Sequence, residues 1–307
     1  MKIKINNNLN FNSEGPPLLI AEISANHCGS KKKFLQHILK AKKSGADLVK
    51  IQTYEVSDMT INNKFKIKSG AWKGLNISHL YKKAQTPFEW HYDAFKLAKK
   101  NKICLFSTPF SLRALSFLKK FNPPIYKVAS FEITHIPLLK KIAKTKKPVI
   151  LSTGMANINE ISKAIKTLKK NGCNKIILLH CVSQYPADIR SCNLRSIKFL
   201  SDKFNCEVGW SDHTKNSLLV FDAITNFSAK YIEFHFDLND GKGLESQIGH
   251  CWKPNEIYNL TNYIKNKKII EGKLIKKPNI NEIKERNWRT DPSDGLRPLK
   301  KIRKKFK

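Results

Sequence analysis

Arginine is scarce in this chain of 307 residues: seven of its 57 basic residues are Arg and the others are Lys. Acid is scarce too, with 24 Asp and Glu, which leaves a formal charge of +33. Nucleic-acid binders concentrate Arg, aromatics or glycine motifs on one element. Here lysine is spread over nearly every segment and only Lys300 to Lys307 form a dense run. The reading is a solvated lysine surface without a nucleic-acid partner, whose field still draws anionic substrates. No apolar stretch reaches the length of a membrane-spanning helix. The opening MKIKINNNLNFNSEGPP lacks the apolar centre of a secretory signal, so a cytoplasmic protein is expected. No CxxC pair occurs among the seven cysteines, Cys28, Cys104, Cys173, Cys181, Cys192, Cys206 and Cys251. An odd number without ligand spacing argues for buried free thiols in a reducing compartment, against disulfides or structural zinc. No GxGxxG follows the first strand-like run, which argues against an open dinucleotide-binding sheet.

Eight short apolar or β-branched runs recur at fairly even spacing: Leu18–Ile23, Leu48–Ile51, Ile103–Ser107, Ile125–Ala129, Pro148–Leu151, Lys175–Leu179, Cys206–Trp210 and Tyr231–Phe234. Most lack polar alternation, as strands buried on both faces do. Helical patterns lie between them, at Lys31–Ser44, Phe88–Lys100, Leu112–Phe121, Ile136–Lys144, Ile158–Asn171, Leu194–Phe204 and Ser217–Phe227. Ser111 and Asn157 stand where N-caps belong. Eight strand–helix units predict an α/β fold closed as a (β/α)8 barrel over residues 1–267. A closing helix is expected at Asn255–Lys267, and residues 268–307 form a short basic tail. The connection from Gln52 to Phe88 has few strong helix signals and reads as a substrate loop.

Barrel enzymes keep their chemistry at the C-terminal strand ends. There the chain places Glu22, Lys50 and Gln52, then Thr108 and Phe110, Lys127, Ser130 and Glu132, and Ser152. His180 with Tyr185, Ser211 with His213, and Glu233 with His235 complete the ring. A lysine buried without a partner is costly. Lys50 and Lys127, both inside apolar strands, therefore point to a bound phosphate or carboxylate in preference to two independent salt bridges. His213 and His235, ending adjacent strands, suit either a divalent metal with open positions or two satisfied polar side chains.

At these residues the chain resembles the sialic-acid (nonulosonate) synthases. IAEISANHCG, GADLVKIQTY, FSTPF, YKVASFE, LSTGM, LLHCVSQYP and GWSDHT occur in order between Leu18 and His235. WKG, LYKKAQTPFEWH and ASFE are most similar to the pseudaminic-acid branch. The resemblance implies condensation of phosphoenolpyruvate with an N-acetylated hexosamine, giving a nine-carbon α-keto acid sugar and phosphate. It implies that Lys50, Gln52, Thr108, Lys127, Ser130, Ser152 and Ser211 hold phosphoenolpyruvate, and that His213 and His235 ligate a divalent metal, usually given as manganese. Glu22 and Glu132 match carboxylates near metal, water and sugar, with Glu132 assigned as base. Tyr185 and Phe110 fall on the substrate side. A homodimer is also implied.

Three departures stand out. The small antifreeze-like domain common in the family, which lends an arginine to a partner's sugar site, is expected to be missing, so Arg289 or Arg297 is a candidate replacement. GKGLESQIGHCWKP replaces an acidic stretch, making Glu245 the candidate sugar contact and His250 an unexpected extra. Phe234 stands before His235 where a basic residue is common. Among other readings, condensing barrels that use phosphorylated acceptors need an additional arginine clamp, and Arg is absent before Arg113. A non-catalytic binding barrel is the remaining alternative.

Overall fold

The computed structural model describes residues 2–4, 10–12, 15–61, 65–68 and 70–306. Lys307, the end of the basic run, lies outside them. Two short strands, β1 (Lys2–Lys4) and β2 (Asn10–Asn12), pair antiparallel with each other. Eight parallel strands follow: β3 (Leu18–Glu22), β4 (Leu48–Thr53), β5 (Cys104–Pro109), β6 (Tyr126–Val128), β7 (Val149–Ser152), β8 (Ile176–Cys181), β9 (Glu207–Asp212) and β10 (Tyr231–His235). They close in chain order, with β10 returning to pair with β3. The expected (β/α)8 barrel is present.

Helices separate the strands: α1 (Lys31–Lys43), α2 (Val56–Met59), α3 (Ile77–Ala84), α4 (Phe88–Lys100), α5 (Leu112–Leu118), α6 (Ile136–Ala143), α7 (Ile158–Lys170), α8 (Arg195–Phe204), α9 (Ser217–Thr225) and α10 (Pro254–Glu271). The caps are those the sequence announces. Ser111 Oγ accepts the Ala114 N–H at 2.9 Å, and Asn157 exchanges side-chain and backbone bonds with Glu160. The connection after β4 departs from expectation, because it carries α2 and α3. Asn76 caps α3 by accepting the N–H groups of Ser78 and His79 at 3.0 and 3.2 Å. That asparagine was the overlooked start signal.

Side chains alternate across each strand, so two cores form. Leu19, Ala21, Val49, Leu105, Leu151 and Leu178 belong to a layer shared with helix residues such as Phe34, Leu115 and Leu168. Leu18, Ile20, Leu48, Phe106, Ile125, Ile150, Ile177 and Tyr231 form a separate cluster inside the barrel. Two residues further along, the same inward face turns polar. Ile20 is followed by Glu22, Leu48 by Lys50, Phe106 by Thr108, Ile125 by Lys127, Ile150 by Ser152, and Tyr231 by Glu233 and His235. Apolar residues plug the N-terminal half, and the C-terminal half becomes a polar chamber.

The chain divides into compact units at residues 1–265 and 266–307. The second contains α11 (Ile280–Glu285) and α12 (Lys300–Arg303). It is fastened internally by Arg303 Nη2, which donates to both Asp294 carboxylate oxygens at 2.6 Å. No helix among the described residues is long and apolar enough to cross a membrane.

Candidate active site

The register brings the polar residues together. In the parallel ladders Glu22 pairs with Lys50 and with His235, Gln52 pairs with Thr108, and Glu233 pairs with Ser211. Within the chamber Lys50 Nζ lies 2.5 Å from Glu22 Oε2 and 3.4 Å from Glu233 Oε1, and 3.5 Å from Thr108 Oγ1. Lys127 Nζ donates to Glu233 Oε1 at 3.0 Å, and Ser211 Oγ to the same oxygen at 3.4 Å. All four charged groups are buried.

Glu233, to which the sequence reading gave no role, is thus the centre of this cluster. Burial alone would raise its pKa, but Lys127 and Lys50 overcome that and hold it at about 2. Burial also depresses Lys50, yet Glu22 and Glu233 outweigh it and raise the ammonium above its ordinary value. Lys127 goes the other way, lowered by burial and by Lys50 despite Glu233. Glu22 is raised by burial against the pull of Lys50. Two cations share one fully ionised carboxylate and a second, reluctant one, an arrangement suited to receiving an anion.

Glu132 follows β6 in a short 3-10 turn, Ser130–Glu132. Its Oε2 is buried without a hydrogen-bond partner among the described residues. Burial pushes its pKa up to about 7, with Lys127 pulling the other way. A carboxylate poised there suits proton transfer at neutral pH. Ser130 Oγ lies 3.3 Å from Cys181 Sγ and accepts the Gly154 N–H at 3.2 Å. A Cβ on Gly154 would stand 2.4 Å from Ser183 Oγ, so this approach of backbone to hydroxyls needs glycine. Ser152 is buried at the end of β7.

The histidines occupy the β9–β10 side. His213 Nδ1 donates to the Val182 carbonyl at 2.6 Å, and His235 Nδ1 donates to Glu245 Oε2 at 2.6 Å. Each bond leaves Nε2 with its lone pair, as in metal-ligating histidines oriented from behind. The rings lie 5.3 Å apart. Burial and His235 lower the pKa of His213 to about 3; Glu245 outweighs burial and raises that of His235. Glu245 itself is braced by Ser24 Oγ at 2.6 Å and by Asn26 Oδ1, which accepts its N–H at 3.0 Å. Gln52 Nε2 donates to Ser24 Oγ at 2.9 Å. Asp212 fixes the turn carrying His213 by accepting from Thr214, Lys215 and, at 2.8 Å, Trp252 Nε1. The donor set fits a divalent ion. His235, Glu245 and His250 also bring ligand atoms within 4.8 Å of one another.

Tyr185 packs over this cluster, its ring 4.3 Å from His213 and 5.7 Å from Trp72 of the β4–α4 connection. Phe110 sits edge-on to Tyr54 at 5.2 Å. Glu245, expected to contact sugar, is occupied with His235 and Ser24. Arg297 belongs to the second unit, where its Nε donates to Thr290 Oγ1 at 3.2 Å.

A closed parallel barrel with lysines, carboxylates and histidines gathered inside its C-terminal strand ends is the architecture of an anion-handling enzyme with a metal site. The chain belongs to the NeuB family, whose profile matches residues 37–276. It is 43% identical over 241 residues to a pseudaminic acid synthase of Campylobacter jejuni, covering 78% of this chain and 69% of that one. An N,N'-diacetyllegionaminic acid synthase from the same species is 35% identical over 276 residues, covering 88% and 82%. The crystal structure of an N-acetylneuraminic acid synthetase from Leptospira borgpetersenii, in complex with citrate, superposes with a TM-score of 0.79 at 29% identity, covering 93% of this chain and 95% of that one.

Proposed function

We propose that this enzyme condenses phosphoenolpyruvate with an N-acetylated hexosamine to give a nonulosonate and inorganic phosphate, and that its acceptor is a diacetamido sugar of the pseudaminic type. The observation carrying this reading is the pairing of two buried lysines, Lys50 and Lys127, with Glu233 inside one chamber. Phosphoenolpyruvate brings a phosphate and a carboxylate, and two cations flanked by Thr108, Ser130, Ser152 and Ser211 supply matching donors.

In the reaction the C2–C3 π electrons of phosphoenolpyruvate attack the acceptor's aldehyde carbon, forming the new C–C bond. A divalent ion on His213 and His235, which we take to be manganese, would polarise the aldehyde oxygen as a Lewis acid. C2 becomes electron-poor, and the nearby carboxylates Glu22 and Glu233 favour positive charge there. Water adds to C2 while Glu132 takes one of its protons. That proton balances the one gained by the aldehyde oxygen as it becomes a hydroxyl. The tetrahedral adduct collapses to the ketone, its C2–O bond to phosphate breaks, and phosphate leaves with the hydroxyl proton. Tyr185 and Trp72 offer the acceptor an aromatic wall, and Arg297 is the proposed cation for its polar groups.

Purified protein incubated with phosphoenolpyruvate, Mn²⁺ and a panel of N-acetylated hexosamines tests this reading by phosphate release and product mass. Turnover selective for a 2,4-diacetamido-trideoxyhexose supports it. Turnover with N-acetylmannosamine alone would move the assignment to the neuraminate branch.

A further inference from the structure

His250 has no counterpart in the roles assigned so far. Other buried histidines of this chain are satisfied. His37 bonds the Lys33 carbonyl at 2.7 Å and Asp237 at 2.9 Å, and His91 bonds Thr53 at 2.7 Å and the Pro87 carbonyl at 3.1 Å. His250 is as deeply buried, yet neither ring nitrogen has a hydrogen-bond partner among the described residues. Orphaned polar atoms of this kind cost free energy unless something else occupies them.

The ring lies 4.8 Å from that of His235, 6.4 Å from that of His213 and 5.2 Å from that of Tyr185. With His213 and His235 5.3 Å apart, three imidazoles surround one small space. At a metal–nitrogen distance of about 2.1 Å, rings sharing one ion stand roughly 4.5–6.4 Å apart, centre to centre. All three separations fall in that range. Val182 and Glu245 hold the Nδ1 protons of His213 and His235, so both Nε2 atoms are available to the same ion. Glu245 then acts from behind His235.

We propose that His250 is a third protein ligand of the metal, completing a His213–His235–His250 site. A three-histidine shell leaves fewer positions for water and substrate than a pair does. It also favours ions that accept imidazole, such as Mn²⁺, Co²⁺ or Zn²⁺, over Mg²⁺. The inference rests on the metal site of the proposed synthase.

The test uses the full chain and metal alone. Pulsed EPR of Mn²⁺-loaded wild-type protein should count three coordinated imidazole nitrogens. The His250→Phe variant keeps a ring against Tyr185 and His235 while removing both unpaired nitrogens. It should count two, bind Mn²⁺ at least about tenfold more weakly by titration calorimetry, and unfold no less cooperatively than wild type when metal-free. A count of two in the wild type, or unchanged Mn²⁺ affinity in the folded variant, would overturn the proposal and leave the two-histidine site standing. Absence of Mn²⁺ binding by the wild type would remove the metal site from the proposed function and this inference with it. A His213→Ala control that loses binding ties the measured ion to the barrel.

Discussion

Lys127 on β6 and Glu233 on β10 meet at 3.0 Å although three strands, β3, β4 and β5, stand between them along the barrel wall. Their ion pair therefore crosses the lumen. Together with Lys50 it sets the electrostatics of the chamber, with two cations held ready by carboxylates that an incoming anion must share or displace. A buried pair is weak evidence for stability, since desolvation offsets much of its attraction. Its value here lies in keeping charge where substrate arrives.

Replacing Lys127 by Met should therefore damage catalysis more than folding. Glu233 would retain Lys50 as its partner. We expect kcat/KM for phosphoenolpyruvate to fall about 10²–10³-fold and the binding isotherm to weaken, with a cooperative unfolding transition preserved. Unchanged phosphoenolpyruvate affinity would show that the anion binds elsewhere.

Glu132 carries a pH signature. As a base it must be deprotonated, so kcat/KM should rise as pH increases through about 7, the value to which burial pushes its carboxyl. Glu132→Gln should lower kcat about 10²–10⁴-fold and abolish that inflection. Stability gives an independent check. The folded-state pKa lies above the ordinary 4.5, so the native state binds the extra proton and loses stability as pH rises from about 4.5 to about 7. The Gln variant should lack this part of the slope in denaturant titrations.

Gly243 guards the support of His235. A Cβ there would fall 2.3 Å from Asn26 Oδ1, the acceptor for the Glu245 N–H. Gly243→Ala should displace Asn26, loosen Glu245 and reduce metal affinity about 10–100-fold, the usual effect of disturbing a residue behind a ligand. Metal titration of the variant checks this, and affinity equal to wild type would separate Glu245 from the metal site.

Metal binding should also be visible in thermal unfolding. Chelation should abolish turnover, and restoring Mn²⁺ to about 100 times its dissociation constant should stabilise the protein by about 2.7 kcal/mol. His213→Ala should lose that increment. A melting temperature indifferent to metal would contradict the assignment of the histidine cluster.

Much of this was legible in the sequence because a barrel strand has a period of two. Once Leu18–Glu22 and Leu48–Thr53 are strands, Glu22 and Lys50 must share the inner face with Ile20 and Leu48. The same spacing places Thr108, Lys127 and Ser152. What escaped is what closure creates. Nothing local to Tyr231–His235 reveals that Glu233 meets a lysine on β6, because that contact depends on the whole circuit of strands. His250 lies in the connection between β10 and α10, where no periodicity fixes direction, so only three dimensions show it facing His235. Helix α3 was missed for a simpler reason: its signal is the single cap Asn76, within a connection rich in turn residues.

The most direct test is product formation from phosphoenolpyruvate, Mn²⁺ and a 2,4-diacetamido-trideoxyhexose, followed by mass spectrometry and phosphate release with and without chelator. The expected result is a chelator-sensitive nine-carbon keto acid formed one-for-one with phosphate. Failure to bind phosphoenolpyruvate, or release of phosphate without any carbon–carbon bond formed with an acceptor, would contradict the assignment of the chamber as a condensing site.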